Sequence, residues 1–226
     1  MGKRVWIFVG AYGSGKTEVA INYAFQLKAQ GHTVAIADLD LVNPYFRSRE
    51  LKTSFEEEGI TVLAPAGELA EADLPIIVPQ IRGYLNNEDV HLVLDVGGDD
   101  AGSRALARFS PFFDLDQVEM FMVINDRRPW TGEIAGIADA IARVEGASRL
   151  KVTAIVSNPN LADHTTLDIV RSGHALITAA AAEIGLPVAF LSVMRPLSGG
   201  VDFAGEIPVV EQTRHLLPPW YEDPLR

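Results

Sequence analysis

The sequence predicts an α/β fold: a three-layer, doubly wound, mostly parallel sheet with helices on both faces. Three observations carry that prediction. Strand-like and helix-like segments alternate along the chain. Several strand-like segments, such as His91-Leu92-Val93-Leu94 and Val118 to Ile124, are nearly continuous apolar runs, as parallel strands covered on both faces should be. The first strand is followed by a glycine-rich loop and then a helix start, in the order a phosphate-binding motif requires.

The elements follow in order. Residues 3–9 are apolar and β-prone and read as the first strand. A helix over 16–29 carries Val19, Ala20, Ile21, Tyr23, Ala24 and Leu27 on one or two adjoining faces, and Gly31 stops it. A strand at 33–38 leads to a helix at about 45–58, which Gly59 stops after the acidic run Glu56-Glu57-Glu58. Further strands are expected at 60–64, 90–95, 117–124, 151–157 and 187–192. Further helices are expected at 74–86, 101–110, 131–145, 164–185 and 206–216. The stretch Ala175 to Ala182 suits a helix packed closely on the sheet. From about residue 217 the prolines of Leu217-Pro218-Pro219-Trp220-Tyr221-Glu222-Asp223-Pro224 exclude regular helix. One nucleotide-binding domain over residues 1–226 is the simplest organisation.

Composition removes several function classes. An apolar content of 48% and a charged content of 22% are ordinary for a globular protein. No apolar run approaches the roughly 20 residues that span a bilayer, and no signal-peptide pattern opens the chain. With no Cys there are no disulfides, thiolate zinc sites, iron–sulfur ligands or Cys nucleophile. A net charge of −11 argues against the broad basic surface that nonspecific nucleic-acid binding needs. The five His show no ligand spacing, His164 and His174 being too far apart to share a helix face as a ligand pair. Arg47 and Arg49, Arg104 and Arg108, and Arg127 and Arg128 read as solvated surface charges or as phosphate and partner contacts. A need for nucleotide favours a cytoplasmic location.

Residues Gly10-Ala11-Tyr12-Gly13-Ser14-Gly15-Lys16-Thr17 complete the pattern GxxxxGK[ST] of a P-loop NTPase. The glycines allow backbone angles and a close approach that a Cβ would block. Successive N–H groups then point at phosphate oxygens, helped by the helix N-terminus. Lys16 brings a point charge to the β- and γ-phosphates, and the Thr17 hydroxyl is placed to bind Mg²⁺. The implied ligand is a nucleoside triphosphate with magnesium.

Two acidic clusters accompany the loop. The second strand runs into Asp38-Leu39-Asp40, where two carboxylates spaced i,i+2 at the ligand edge can address one site. The fourth strand runs into Asp95-Val96-Gly97-Gly98-Asp99-Asp100. Asp95 stands where a magnesium-holding carboxylate is expected, and Gly98 completes a DxxG whose N–H can sense the γ-phosphate. No Glu follows Asp95, which directs the search for a water-positioning group to Asp40 or Asp99.

With these motifs the chain resembles the MinD/ParA-like group of the SIMIBI class of P-loop NTPases, through GAYGSGKT, ADLDLVNP, LVLDVGGDD and the later strands. The resemblance implies Asp38 near magnesium and Asp40 as the water-positioning carboxylate. It implies a second switch at Asp95 and Gly98, and DVGGD also looks like the second switch of nitrogenase iron-protein relatives, which implicates Asp99. It implies adenine recognition by Asn158, which ends Ala154-Ile155-Val156-Ser157, and by backbone around Pro196. No NKxD element is present, so ATP is favoured over GTP. The group's usual signature lysine, which reaches across a homodimer to the partner's nucleotide, is replaced by Ala11, and Tyr12 follows instead of Gly. Either the sandwich dimer does not form or another cation, such as Arg104 or Arg127, substitutes.

The expected function is a Mg²⁺-dependent ATPase acting as a nucleotide-dependent switch that regulates or assembles a protein partner. The alternative is an ATP-dependent ligase or phosphotransferase acting on a small acidic metabolite, with Arg47, Arg49 and Arg127 binding the substrate and Tyr12 bordering its pocket.

Overall fold

The computed structural model describes residues 2–39, 49–63 and 74–216. Its first half consists of strand β1 (Val5–Gly10), helix α1 (Lys16–Ala29), β2 (Thr33–Asp38), α2 (Arg49–Glu57), β3 (Thr61–Leu63), α3 (Leu74–Leu85) and β4 (Val90–Gly97). There follow α4 (Asp100–Ala107), β5 (Val118–Ile124), α5 (Ile134–Ser148), β6 (Ala154–Ser157), α6 (Leu167–Ile184), β7 (Val188–Met194), α7 (Arg195–Ser198) and β8 (Val209–Gln212).

Among the described residues the strands form one sheet in the order β3-β2-β4-β1-β5-β6-β7-β8, with every pairing parallel. The chain runs from β1 towards β2 and β3, returns to β4 beside β1, then crosses to β5 on its other side. Direction therefore reverses at β1, and the crevice beyond the C-terminal ends of its neighbours is the place where such sheets bind ligands.

Alternation along the strands divides the core. In β1, Val5, Ile7 and Val9 face one layer, built with Ile81, Leu106, Ile137, Ile141 and Ile177 from α3 to α6. Phe8 faces the other, with Val19, Ile21 and Leu27 of α1 and Phe55 of α2. Apolar residues on both faces of each central strand are what the continuous runs required. The three-layer, doubly wound architecture is as expected. Ala180 and Ala181 of the Ala-rich stretch lie in the first layer with Ile155 of β6.

Three local differences have physical causes. The helix expected at 206–216 is replaced by β8, which pairs with β7 from Leu191↔Val209 to Met194↔Gln212. Pro208 has no N–H to give a helix, and its carbonyl accepts from Leu191 N at 2.8 Å, while Val209 and Val210 are β-branched. Helix α5 starts at Ile134 rather than 131, because Thr131 is drawn into the preceding turn, its Oγ1 donating to the Asn125 carbonyl at 2.6 Å. Strand β6 starts at Ala154 rather than 151, because Glu145 holds the approach: Lys151 Nζ and Val152 N donate to it at 2.5 and 3.0 Å.

Candidate nucleotide-binding site

The glycine loop leaves β1 at Gly10 and turns at once, Ser14 N donating to the Ala11 carbonyl at 2.9 Å. Gly15 has φ +84°, a left-handed conformation that suits glycine, and an added Cβ would lie 2.4 Å from Asn158 Nδ2. Gly15 is also the N-cap of α1 and supplies no side-chain cap, so the first-turn amides face the loop rather than a capping oxygen. That is the arrangement that binds phosphate at a helix N-terminus.

Lys16 and Thr17 open α1 and are both buried. Lys16 Nζ lies 3.9 Å from Asp95 Oδ1, and Asp95 is fully buried at the end of β4. Asp38 ends β2 in direct register with Asp95. Side chains paired in adjacent parallel strands share a sheet face, so the two carboxylates stand together on the side that carries α1. Asp40 lies outside the described residues, as do Arg47 and the tail from 217.

Gly98 closes the site from the β4 side. Its N–H donates to the Gly10 carbonyl at 3.0 Å, and a Cβ here would fall 2.4 Å from Gly10 C and O. Only glycine lets this segment lie so close to the loop. The next residue, Asp99, is exposed and caps α4, its Oδ1 accepting from Gly102 N at 2.7 Å.

From the other side β5 and β6 brace the loop. Asn158 is buried; its Nδ2 donates to the Ser14 carbonyl at 2.7 Å and its Oδ1 accepts from Ser192 Oγ at 2.9 Å. Both ends of the amide are engaged, and contact with a base would require exchanging the Ser14 bond. Pro196 is exposed in the short α7 beyond β7, on the same sheet edge. Two residues complete the brace: Asn125, which the sequence did not single out, and Arg128, which it offered as a surface charge or a phosphate or partner contact. Asn125 is buried at the end of β5 and donates to the carbonyls of Asn160 at 2.8 Å and Gly13 at 3.4 Å. Arg128 Nε donates to the Gly13 carbonyl at 2.8 Å, bringing a guanidinium onto the loop. Arg127 instead pairs with Asp126 at 3.0 Å. Ala11 is half-buried, and Tyr12 is 78% exposed at the loop's tip.

One further carboxylate stands behind the loop. Glu18, in the first turn of α1, accepts from His215 N at 2.6 Å and Leu216 N at 3.1 Å, and burial pushes it up to about 7 against the pull of those bonds and of Arg214.

The donor set fits magnesium. A hydroxyl at the start of α1 and two neighbouring carboxylates are hard oxygen ligands, and Mg²⁺ is held by one or two such groups plus phosphate and water. Among the described residues no group of three or more His, Asp or Glu forms a metal cage. No helix among them is long and apolar enough to cross a membrane.

No family model matches the sequence, and no curated protein does. Solved structures do. The cell division protein FtsY of Thermotoga maritima matches with a TM-score of 0.57 and 23% identity, over 84% of this chain and 62% of that one. Chloroplast FtsY from Physcomitrella patens matches with a TM-score of 0.58 and 18% identity, over 84% and 58%. FtsY from Mycoplasma mycoides matches with a TM-score of 0.56 and 14% identity, over 84% and 61%. The likeness is one of fold: a parallel α/β sheet with interleaved helices. The chain spans about three-fifths of the length of these FtsY structures.

Proposed function

We propose that this protein is a Mg²⁺-dependent, ATP-binding NTPase that works as a nucleotide-dependent switch and regulates or assembles a protein partner. The observation that carries the reading is the hydrogen bond between Gly98 N and the Gly10 carbonyl, which joins the phosphate loop to the segment that opens α4. A γ-phosphate at the loop would sit against this junction, so binding and hydrolysis alter the setting of Gly98, Asp99 and α4. The likeness to FtsY supports the nucleotide fold, and the narrower likeness to MinD and ParA rests on the motifs.

The residues have distinct tasks. The amides of Gly13 and of Gly15 to Thr17 and the Lys16 ammonium stabilise phosphate charge, which is most of what a phosphoryl-transfer site contributes. Arg128 adds a second cation at the loop, on the opposite strand neighbour from Asp95. Thr17, Asp38 and Asp95 would hold Mg²⁺, which would neutralise phosphate charge there. Asp40 or Asp99 positions the attacking water. Asn158 and the backbone at Pro196 lie at the edge where a base would rest, and the absence of NKxD supports adenine.

The test is triphosphate binding and turnover with ATP and GTP, for the wild type and Lys16→Ala. Lys16→Ala should lower triphosphate affinity at least a hundredfold while leaving the circular dichroism spectrum unchanged. Retained affinity would mean that the loop is not the phosphate site.

A further inference from the structure

Beside the loop lies a pocket of about 280 Å³ lined by Ala11, Gly98, Asp99, Ser103, Met122, Trp130, Ala140 and Arg143. Ligand pockets for drug-sized molecules run from about 300 Å³ upward, so this volume suits a smaller organic molecule. Its walls are chemically divided. Met122, Ala140 and the Trp130 ring are apolar. Ser103 is 1% exposed, and its hydroxyl has no hydrogen-bond partner among the described residues. A buried hydroxyl left unmatched is costly, and it waits for an oxygen or nitrogen from a ligand. Arg143 stands at the open end with its side chain 60% exposed; its contact is Asp139, at 2.9 Å on the same helix face. Such an exposed pair is weak and readily exchanged for another anion.

We propose that this pocket is a second ligand site, for a short hydroxycarboxylate whose carboxylate meets Arg143 at the mouth and whose hydroxyl meets Ser103 at the floor. Met122, Ala140 and Trp130 cover the apolar body between them. A dicarboxylate is disfavoured, because Asp99 lines the same wall. The small side chain of Ala11 matters here. It forms the wall shared with the phosphate loop at the position where the resembled group carries a long lysine. Gly98 and Asp99 form the adjoining wall, so an occupant touches the junction that the nucleotide also sets. On the proposed nucleotide function, the pocket is therefore an effector site for the switch.

The test uses the full chain without nucleotide, titrated with ω-hydroxyhexanoate, hexanoate and ω-hydroxyhexanamide, and read by tryptophan fluorescence and ligand-observed NMR. The hydroxycarboxylate should bind saturably, about tenfold more tightly than its amide and several-fold more tightly than hexanoate. Arg143→Gln should erase the first preference alone, and Ser103→Ala the second alone. Both variants are mild, one exposed and one removing an unmatched hydroxyl. Absence of saturable binding, or preferences that survive their variants, would overturn the site. A second arm measures a fluorescent triphosphate analogue with and without the hydroxycarboxylate, where a change of about fivefold is expected from coupled sites. An unchanged affinity with the pocket occupied overturns the effector role. Loss of triphosphate binding by the wild type would instead overturn the nucleotide reading, and the first arm would still stand.

Discussion

Asn158→Ala separates two roles for one residue, bracing the loop and reading a base. In the structure the side chain makes two buried hydrogen bonds, to the Ser14 carbonyl at 2.7 Å and from Ser192 Oγ at 2.9 Å. Truncation removes both and leaves their partners unmatched, at about 1–2 kcal/mol apiece, or roughly 2–4 kcal/mol in all. For a domain of this size each kcal/mol lowers the melting temperature by about 2–4 °C, so a fall of roughly 5–15 °C is expected. Affinity should follow the Ser14 bond alone, which holds the loop in its phosphate-binding form. About 1.4 kcal/mol there corresponds to a tenfold loss. Because the brace acts on the loop and touches no base, the loss should be equal for ATP, GTP and inorganic triphosphate, measured by calorimetry. A variant that keeps its melting temperature, loses affinity for ATP and keeps it for GTP and triphosphate would refute the bracing argument and assign Asn158 to adenine.

Three other outcomes are expected. Arg128→Gln removes the guanidinium at Gly13 and should weaken triphosphate binding about tenfold, with a shallower salt dependence than the wild type in competition titrations; an unchanged salt slope would exclude a phosphate contact. Asp99→Ala removes the α4 cap at a cost of about 1 kcal/mol, and should slow turnover if Asp99 positions water, whereas a lowered melting temperature with an unchanged rate leaves that task to Asp40. Glu18, raised from 4.5 to about 7, holds a proton in the folded state that the unfolded chain gives up. Its contribution is therefore fully present below pH 4.5 and lost as pH rises through about 7, an upper bound of roughly 3 kcal/mol. Glu18→Gln should flatten this decline in denaturant titrations at pH 5 and pH 8, and parallel curves for the two proteins would disprove it.

The sheet was legible because its signals are local. Continuous apolar runs and glycine stops specify buried strands and helix ends without reference to distant parts of the chain. The last strand was not, since Glu206 to Leu216 carries a mixed pattern, and only pairing with β7 decides between helix and strand. The site divides in the same way. Lys16, Thr17, Asp38, Asp95 and Gly98 lie at strand ends or on the loop itself, where a motif and its neighbours place them. Asn125 and Arg128 act on Gly13 across 112 and 115 residues, and nothing near them in the chain marks that contact. Asn158 came from the resemblance, as a candidate for adenine, and nothing in the sequence marked its bond to the loop. The direction of its amide depends on Ser14 and Ser192, which only the fold brings together.

The tie between Glu18 and residues 215–216 has a practical side. Together with the bonds between Asn22 and Thr213, it fastens the segment after β8 to the first turns of the very helix that begins with Lys16 and Thr17. A fusion or affinity handle attached after residue 216 pulls on that helix, whereas one placed ahead of β1 sits at the opposite edge of the sheet. Labelled versions built at the two ends should therefore differ in nucleotide affinity even when both fold, and the N-terminal version is the sounder reporter of the native protein.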